Sequence, residues 1–260
     1  MAKVFVSPGH GGSDSGAVGF LVEKDVNLKM AKSCADYLLD RGVEVLLSRS
    51  KDGNESLDEK IRKCNEFNPE VAVECHNNAG NGNGFEIYHS IVGGTGKTLA
   101  KNIEEQIKKL GQNSRGLKTR VGNSGTDYFA FIRQTNCPAV ICEGAFVDNE
   151  DDVKMIDTDE KCKSFGEAYA KGILKTLGIK DEVADGNDNK INSEQKGYLV
   201  KATADGLNIR TGAGTDNPVV GVITDKGVYT IVDTKTVSGI KWGKLKSGAG
   251  WIALNYTTTI

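Results

Sequence analysis

Two histidines and two glutamates sit in short glycine-rich or apolar contexts of the kind that end β-strands: Gly9-His10-Gly11-Gly12, Glu23-Lys24-Asp25, Cys75-His76-Asn77-Asn78 and Cys142-Glu143-Gly144-Ala145-Phe146. A catalytic zinc takes three nitrogen or oxygen ligands from the protein and keeps a fourth position for water. A further carboxylate is then needed to move protons. His10, Glu23, His76 and Glu143 meet that count and read as a hydrolytic zinc site. Small residues around His10 let its imidazole stand free and let a substrate come close. Glu23 completes a His, Glu, His ligand set, with Asp14, Asp25 and Glu74 as competing carboxylates; Lys24 cannot coordinate while protonated.

Glu143 follows the apolar run Pro138 to Cys142, where an ionisable group must be solvated by a cleft, paired or functional. In the functional reading it is a general base that takes a proton from water and then gives one to a leaving amine. Strand alternation turns Cys75 away from His76, which argues against a thiolate ligand. Asn77 and Asn78 are available to orient the ring or to bind substrate. His89, the third and last histidine, lacks such a context and reads as structural or exposed.

These residues need elements to position them. Lys3 to Ser7 is expected as a buried strand running into the His10 turn. Val26, Met30, Cys34 and Leu38 recur every fourth residue, which predicts a helix from Asp25 to Arg41 closed by Gly42. Val43 to Ser48 is the next strand. Ser56 with Glu59 opens a helix through Phe67 as a capping box, and Val71 to Cys75 is the strand that delivers His76. Further strands are predicted at Phe85 to His89 and Pro138 to Cys142, with helices at Thr95 to Leu110 and Asp159 to Leu177. Alternating strands and helices predict an α/β fold, a twisted and largely parallel central sheet flanked by helices. Ligands collect beyond the C-terminal strand ends of such sheets, where these residues fall.

Ile179 to Lys196 is rich in Asp, Glu, Asn and Gly and reads as a flexible linker. Beyond it come short β-type runs separated by turns: Leu207 to Arg210, Val219 to Ile223, Val228 to Val232, Trp242 to Leu245 and Gly250 to Ile252. They predict a small antiparallel barrel. Residues 197–260 hold seven basic and four acidic side chains, a net of +3 against −2 for the whole chain, too small an imbalance to indicate a nucleic-acid binder. The six cysteines lack CxxC pairs and read as buried free thiols rather than disulfides or a structural zinc site. Gly93-Gly94-Thr95-Gly96-Lys97-Thr98 imitates a phosphate-binding loop, but Ile91 stands where its first glycine is required. No run at the N-terminus has the length of a signal peptide or membrane span, so synthesis in the cytoplasm, without a membrane anchor, is expected.

Four separated motifs, Val4 to Gly19, Glu23 to Leu28, Glu74 to Ala79 and Pro138 to Asn149, resemble those of the zinc-dependent N-acetylmuramoyl-L-alanine amidases of the type 3 group. The resemblance covers residues 1–178. It implies hydrolysis of the amide between N-acetylmuramic acid and L-alanine in peptidoglycan, with His10, Glu23 and His76 as metal ligands and Glu143 as the catalytic glutamate. One departure is visible: Glu74-Cys75 precedes His76 where the family has a Ser-Ile run, adding a carboxylate near the metal. Residues 197–257 are similar to bacterial SH3-like wall-binding domains, through Leu207 to Gly214 and the two tryptophan segments, with at least one of Trp242 and Trp251 expected in the core.

The resulting expectation is a catalytic domain over 1–178, a linker over 179–196 and an SH3-like domain over 197–260 that binds peptidoglycan and an associated wall polymer. A wall enzyme without a signal peptide resembles a phage or prophage endolysin that reaches the wall after release; an autolysin is the alternative. A zinc peptidase cutting the stem peptide and a non-catalytic wall-binding protein are the rival readings.

Overall fold

Val4, Phe5 and Val6 are all fully buried, so the first strand is covered on both faces and belongs inside a sheet. A computed structural model describes residues 2–183, 198–237 and 239–259. The chain divides into two compact units, Met1–Gly186 and Asn187–Ile260. The first unit runs β1 (Lys3–Pro8), α1 (Glu23–Leu39), β2 (Glu44–Leu47), α2 (Leu57–Phe67), β3 (Val71–Asn78), β4 (Phe85–His89), α3 (Gly94–Lys109), β5 (Ser114–Lys118), α4 (Ala130–Gln134), β6 (Ala139–Phe146), α5 (Glu150–Val153) and α6 (Asp159–Leu177).

The strands form one sheet in the order β2-β1-β3-β6-β4-β5. β2, β1, β3 and β6 are mutually parallel, whereas β4 runs antiparallel to β6 and carries β5 parallel to itself. The sheet is therefore mixed, not simply parallel. The reason is the connection at residues 79–84, which is too short for the crossover of a dozen or more residues that a parallel return demands. β3 and β6 also run past their expected ends, so His76 and Glu143 lie within strands.

Alternation along the strands sorts the core into two layers. Val4, Val6, Val73 and Cys75 face α1, α3 and α6 and pack with Met30, Leu38, Ile103 and Tyr169. Phe5, Ala72 and Ile141 face the other way, against Ile61 and Cys64 of α2 and Phe131 and Ile132 of α4. Each large side chain so buried contributes on the order of 1.5–3 kcal/mol. The second layer is the smaller one, and along the same face β3 and β6 continue into Glu74, His76 and Glu143. Helix ends follow the sequence signals: the Ser56 side chain accepts from the Glu59 N–H, Thr158 caps α6, and Gly178 ends it in the left-handed conformation. The cysteines are free, and all but Cys137 are buried.

The second unit consists of β7 (Tyr198–Ala202), β8 (Leu207–Arg210), β9 (Val219–Ile223), β10 (Val228–Val237), β11 (Ile240–Leu245), β12 (Trp251–Ala253) and β13 (Thr257–Thr259), with one 3₁₀ turn at Leu254–Tyr256. They form an antiparallel sheet in the order β13-β7-β10-β11-β12-β8-β9 around Val200, Leu207, Ile223, Ile231, Leu245 and Ile252. Trp242 is buried, while Trp251 is partly exposed. Of the expected linker, residues 184–196 lie outside the described residues. Its first residues belong to the first unit: Ile179 packs on the larger core layer, and Asp181 accepts hydrogen bonds from Tyr37 and Arg41.

Candidate metal centre and catalytic cleft

β1 ends at Pro8, and the chain turns at Gly9 and His10 beside the C-terminal half of β3. The Gly9 N–H donates to the Cys75 carbonyl, which brings the two segments into contact. A Cβ on Gly9 would lie 2.2 Å from the His76 ring, so only glycine lets this ring lie against the turn. His10 has φ of 58°, a left-handed conformation uncommon for a non-glycine residue and often found at functional sites. Arg49 fixes the strained turn by donating to the carbonyls of Gly9 and His10.

Glu23 opens α1 and is almost fully buried, at 4 % exposure. The two imidazoles converge on one of its oxygens, with His10 Nε2 3.2 Å and His76 Nδ1 2.9 Å from Glu23 Oε1. The rings meet edge to face at 4.9 Å between centroids. Among the described residues, this trio is the group whose ligand atoms all lie within 4.8 Å of one another. Asp25, one of the competing carboxylates, is outside it. The other two stand behind the rings: Asp14 Oδ2 is 2.8 Å from His10 Nδ1, and Glu74 Oε2 is 3.6 Å from His76 Nε2. Carboxylates on the far nitrogens of metal-binding histidines fix ring orientation and tautomer.

Glu23 is itself held from several sides. Its Oε2 accepts from the Ala17 N–H at 2.8 Å, and its Oε1 accepts from the Asn77 N–H at 3.1 Å and from Asn27 Nδ2 at 3.2 Å. Asn77 in turn donates from its side chain to Asn27. Burial alone would raise the Glu23 carboxyl, but hydrogen bonds from His10 and His76 outweigh it and hold the group well below the usual range. His76 shows the converse balance: burial opposes its charge, yet Glu74 and Glu23 raise it to about 10. His10 is raised chiefly by its hydrogen bond to Glu23. Two imidazoles and a carboxylate, aimed at one point and drawing positive charge there, fit a divalent cation of the zinc type.

Glu143 stands beside this trio on β6, in register with His76 across the parallel ladder. Its side chain lines an open cleft together with His10, Glu74, His76, Phe129 and Ile141. Burial pushes its carboxyl up to about 7; His76 opposes the shift, and Glu23, Glu74 and Glu86 add to it. No hydrogen bond reaches its oxygens among the described residues. A carboxylate in a cleft, near neutral pKa and without a fixed partner, is equipped to exchange protons with water or substrate.

Lys60 was not visible as a site residue in the sequence. It lies on the buried face of α2 with Ile61 and Cys64, and its Nζ is 2.5 Å from Glu74 Oε1. Burial would raise Glu74, but the Lys60 charge with help from His76 holds it at about 2. A lysine among core positions of a helix is the available signal, because buried lysines are almost always paired. Asn27 offers a weaker one, four residues after Glu23 on the same helix face. Lys24 ties the Gly12 carbonyl to Asp52. His89 is buried, with Nδ1 2.8 Å from the Ser90 carbonyl oxygen, a structural position.

Residues 4–175 match the family model described as N-acetylmuramoyl-L-alanine amidase, Amidase_3. The chain is 32% identical to the endolysin of Bacillus phage SPP1 over 95% of this chain and 94% of the relative. It is 33% identical to the N-acetylmuramoyl-L-alanine amidase CwlM of Bacillus licheniformis over 71% of this chain and 72% of the relative. Among solved structures, the amidase AmiC2 of Nostoc punctiforme superposes with a TM-score of 0.62 at 29% identity, covering 68% of this chain and 97% of that one.

Proposed function

This chain belongs to the N-acetylmuramoyl-L-alanine amidase family and acts on peptidoglycan, and on that premise we propose that it is a zinc-dependent amidase whose metal is held by His10, Glu23 and His76, with Glu143 as its general base. The bond cut is the amide between N-acetylmuramic acid and L-alanine. The observation that carries the metal assignment is the convergence of His10 Nε2 and His76 Nδ1 on Glu23 Oε1, with Asp14 and Glu74 behind the rings. Zinc, when bound, supplies a water of lowered pKa and polarises the scissile carbonyl.

The protein's own side chains do the rest. Glu143 takes a proton from the attacking water and delivers it to the amide nitrogen, so that L-alanine leaves as a free amine. The Asp14 and Glu74 carboxylates keep the far ring nitrogens of His10 and His76 engaged, which leaves the near nitrogens as donors. Lys60 neutralises Glu74, so the carboxylate behind His76 does not add a free charge to the cleft.

The second unit is proposed to be an SH3-like module that binds the wall, so that residues 1–178 cut and residues 197–260 hold. Its antiparallel strands and single buried tryptophan support this reading. Similarity along nearly the whole length of a phage endolysin supports an endolysin that reaches the wall after release. Among the described residues no helix is long and apolar enough to cross a membrane.

Digestion of purified peptidoglycan tests the reaction. Wild type is expected to release new N-terminal alanine without new reducing sugar, with the activity lost on chelation, restored by zinc and absent from Glu143→Ala. New reducing ends would mean a glycosidase. New amino ends other than alanine would mean a peptidase within the stem.

A further inference from the structure

We propose that Arg120, stacked on Tyr128 at the rim of the cleft, recognises a free carboxylate on the stem peptide and so sets which stems the enzyme prefers. The identity of the substrate rests on the amidase reading; the role of Arg120 rests on the following geometry. The Arg120 guanidinium lies 3.6 Å from the Tyr128 ring centroid and 5.9 Å from that of Phe129. Phe129 lines the cleft that holds Glu143 and His76. It also packs edge-on against Tyr88 at 4.9 Å and Tyr128 at 5.1 Å. Tyr88 pairs with Ile141 across the β4–β6 ladder, two residues before Glu143, so the aromatic cluster that carries the guanidinium borders the strand of the proposed base.

The segment that carries Arg120 is built to hold it. Tyr128 N–H donates to the Arg120 carbonyl at 2.9 Å, and Gly122 N–H donates to the Thr126 carbonyl at 2.7 Å, closing a hairpin. Asp127 ties its base to the end of β4, accepting from Ser90 Oγ at 2.7 Å and from the Ile91 N–H at 2.8 Å. Arg133 donates to the Asp127 and Tyr128 carbonyls from below. Stacking orients the guanidinium plane and leaves its N–H edge free. Among the described residues Arg120 makes no ion pair, in contrast to Arg115, which is paired with Glu86.

Charge gives this position a purpose. Asp14, Glu55, Glu74 and Glu143 line the cleft; His10 stands against Asp14, Lys63 pairs with Glu55 and Lys60 with Glu74. A stem carboxylate entering the cleft therefore finds no free lysine or arginine among the described lining residues. Arg120 is an unpaired cation at the cleft's edge, and a guanidinium binds a carboxylate through two parallel hydrogen bonds. It is a specificity residue and takes no part in the proton transfers assigned to Glu143.

The test compares two soluble glycan-peptide substrates that differ at one group: the acidic residue after L-alanine carries a free α-carboxylate in one and a carboxamide in the other. The full-length wild type is expected to prefer the carboxylate form. Arg120→Ala should lose roughly 10- to 100-fold in kcat/KM on that form, mainly through KM, as expected for a solvent-exposed charge-assisted contact, and change little on the carboxamide. Arg120→Lys should recover part of the loss, because it restores charge without the planar fork. Equal losses on both substrates, or a wild type indifferent to the difference, overturn the proposal. If the wild type releases no N-terminal alanine from either substrate or from intact peptidoglycan, it is the amidase reading that fails.

Discussion

His76 and Glu143 are Cα partners in the parallel β3–β6 ladder, so the side chain proposed to hold the metal and the one proposed to move the proton project from the same face of adjacent strands. Neighbouring strands lie about 4.8 Å apart, which sets their separation without any loop. Two roles so fixed can be uncoupled by mutation. Glu143→Gln keeps the shape and removes the base, and should lower kcat by roughly 10²- to 10⁴-fold while zinc affinity, measured by competition with a chromogenic chelator, changes little. His76→Ala should lose both together. If Glu143→Gln released the metal, Glu143 would be a ligand instead.

The same charges give the metal-free protein a pH signature. Glu143 is raised to about 7, so its contribution to stability is complete below about pH 4.5 and lost as pH rises through 7. His76 is raised to about 10, so its contribution is complete below about pH 6.5 and lost as pH rises through 10. Glu74 is lowered to about 2, so its contribution is present above about pH 4.5 and lost as pH falls through 2. Urea unfolding of the chelated protein should therefore show stability falling from about pH 5 to pH 10, and Glu143→Gln should flatten the part below pH 7. Zinc affinity should follow the opposite course and rise with pH, because His10 and His76 must lose protons to ligate.

Lys60 and Glu74 form a buried ion pair, with side chains 7% and 5% exposed. Such pairs contribute little net stability, yet removing one partner strands the other. Glu74→Ser should cost about 3–5 kcal/mol by leaving the Lys60 charge without its carboxylate. Adding Lys60→Met should recover most of it. The double variant also lacks the carboxylate behind His76, so its zinc affinity should stay roughly 10- to 100-fold below wild type. Unfolding and metal titration on the three proteins separate the two effects.

Much of this arrangement could be read from local signals. α6 is bounded by Asp159 and Leu177 as its periodicity predicts, and β8 and β9 coincide with their predicted runs. β5, Ser114–Lys118, was not legible, because a short edge strand containing Arg115 and Gly116 has no alternation to detect. Reversal of β4 was hidden for a different reason: strand direction is set by the length of the 79–84 connection and by pairing with β6, far away in sequence. In the site, the glycines and the apolar runs single out His10, His76 and Glu143 locally. The contact of Glu23 with both rings and the Lys60–Glu74 pair depend on packing between separate elements that no spacing encodes, whereas the Arg120–Tyr128 stack is local to one hairpin. Residues 198–202 and 257–259, which pair as β7 and β13, were likewise invisible until placed beside each other.

Gly9 provides the sharpest steric test, because its replacement adds one carbon where the site has no room. A Cβ there would fall 2.2 Å from His76 Cε1 and 2.3 Å from Nε2, well inside contact distance, and the obstacle is a ring held by Glu23 and Glu74 rather than a flexible chain end. Backbone strain is not the issue at Gly9, whose φ is not positive, so the cost comes from displacing the imidazole. Gly9→Ala should keep the sheet and helices, because the clash is confined to the turn. The displaced ring can no longer share Glu23 Oε1 with His10, and zinc affinity should fall by roughly 10- to 100-fold, in line with losing a ligand's orientation. Gly53→Ala is the control, since a Cβ at Gly53 meets nothing within 4 Å. Circular dichroism and metal titration on both variants check the outcome: a Gly9→Ala protein that folds and binds zinc as tightly as Gly53→Ala would show that His76 does not need its present position to hold the metal.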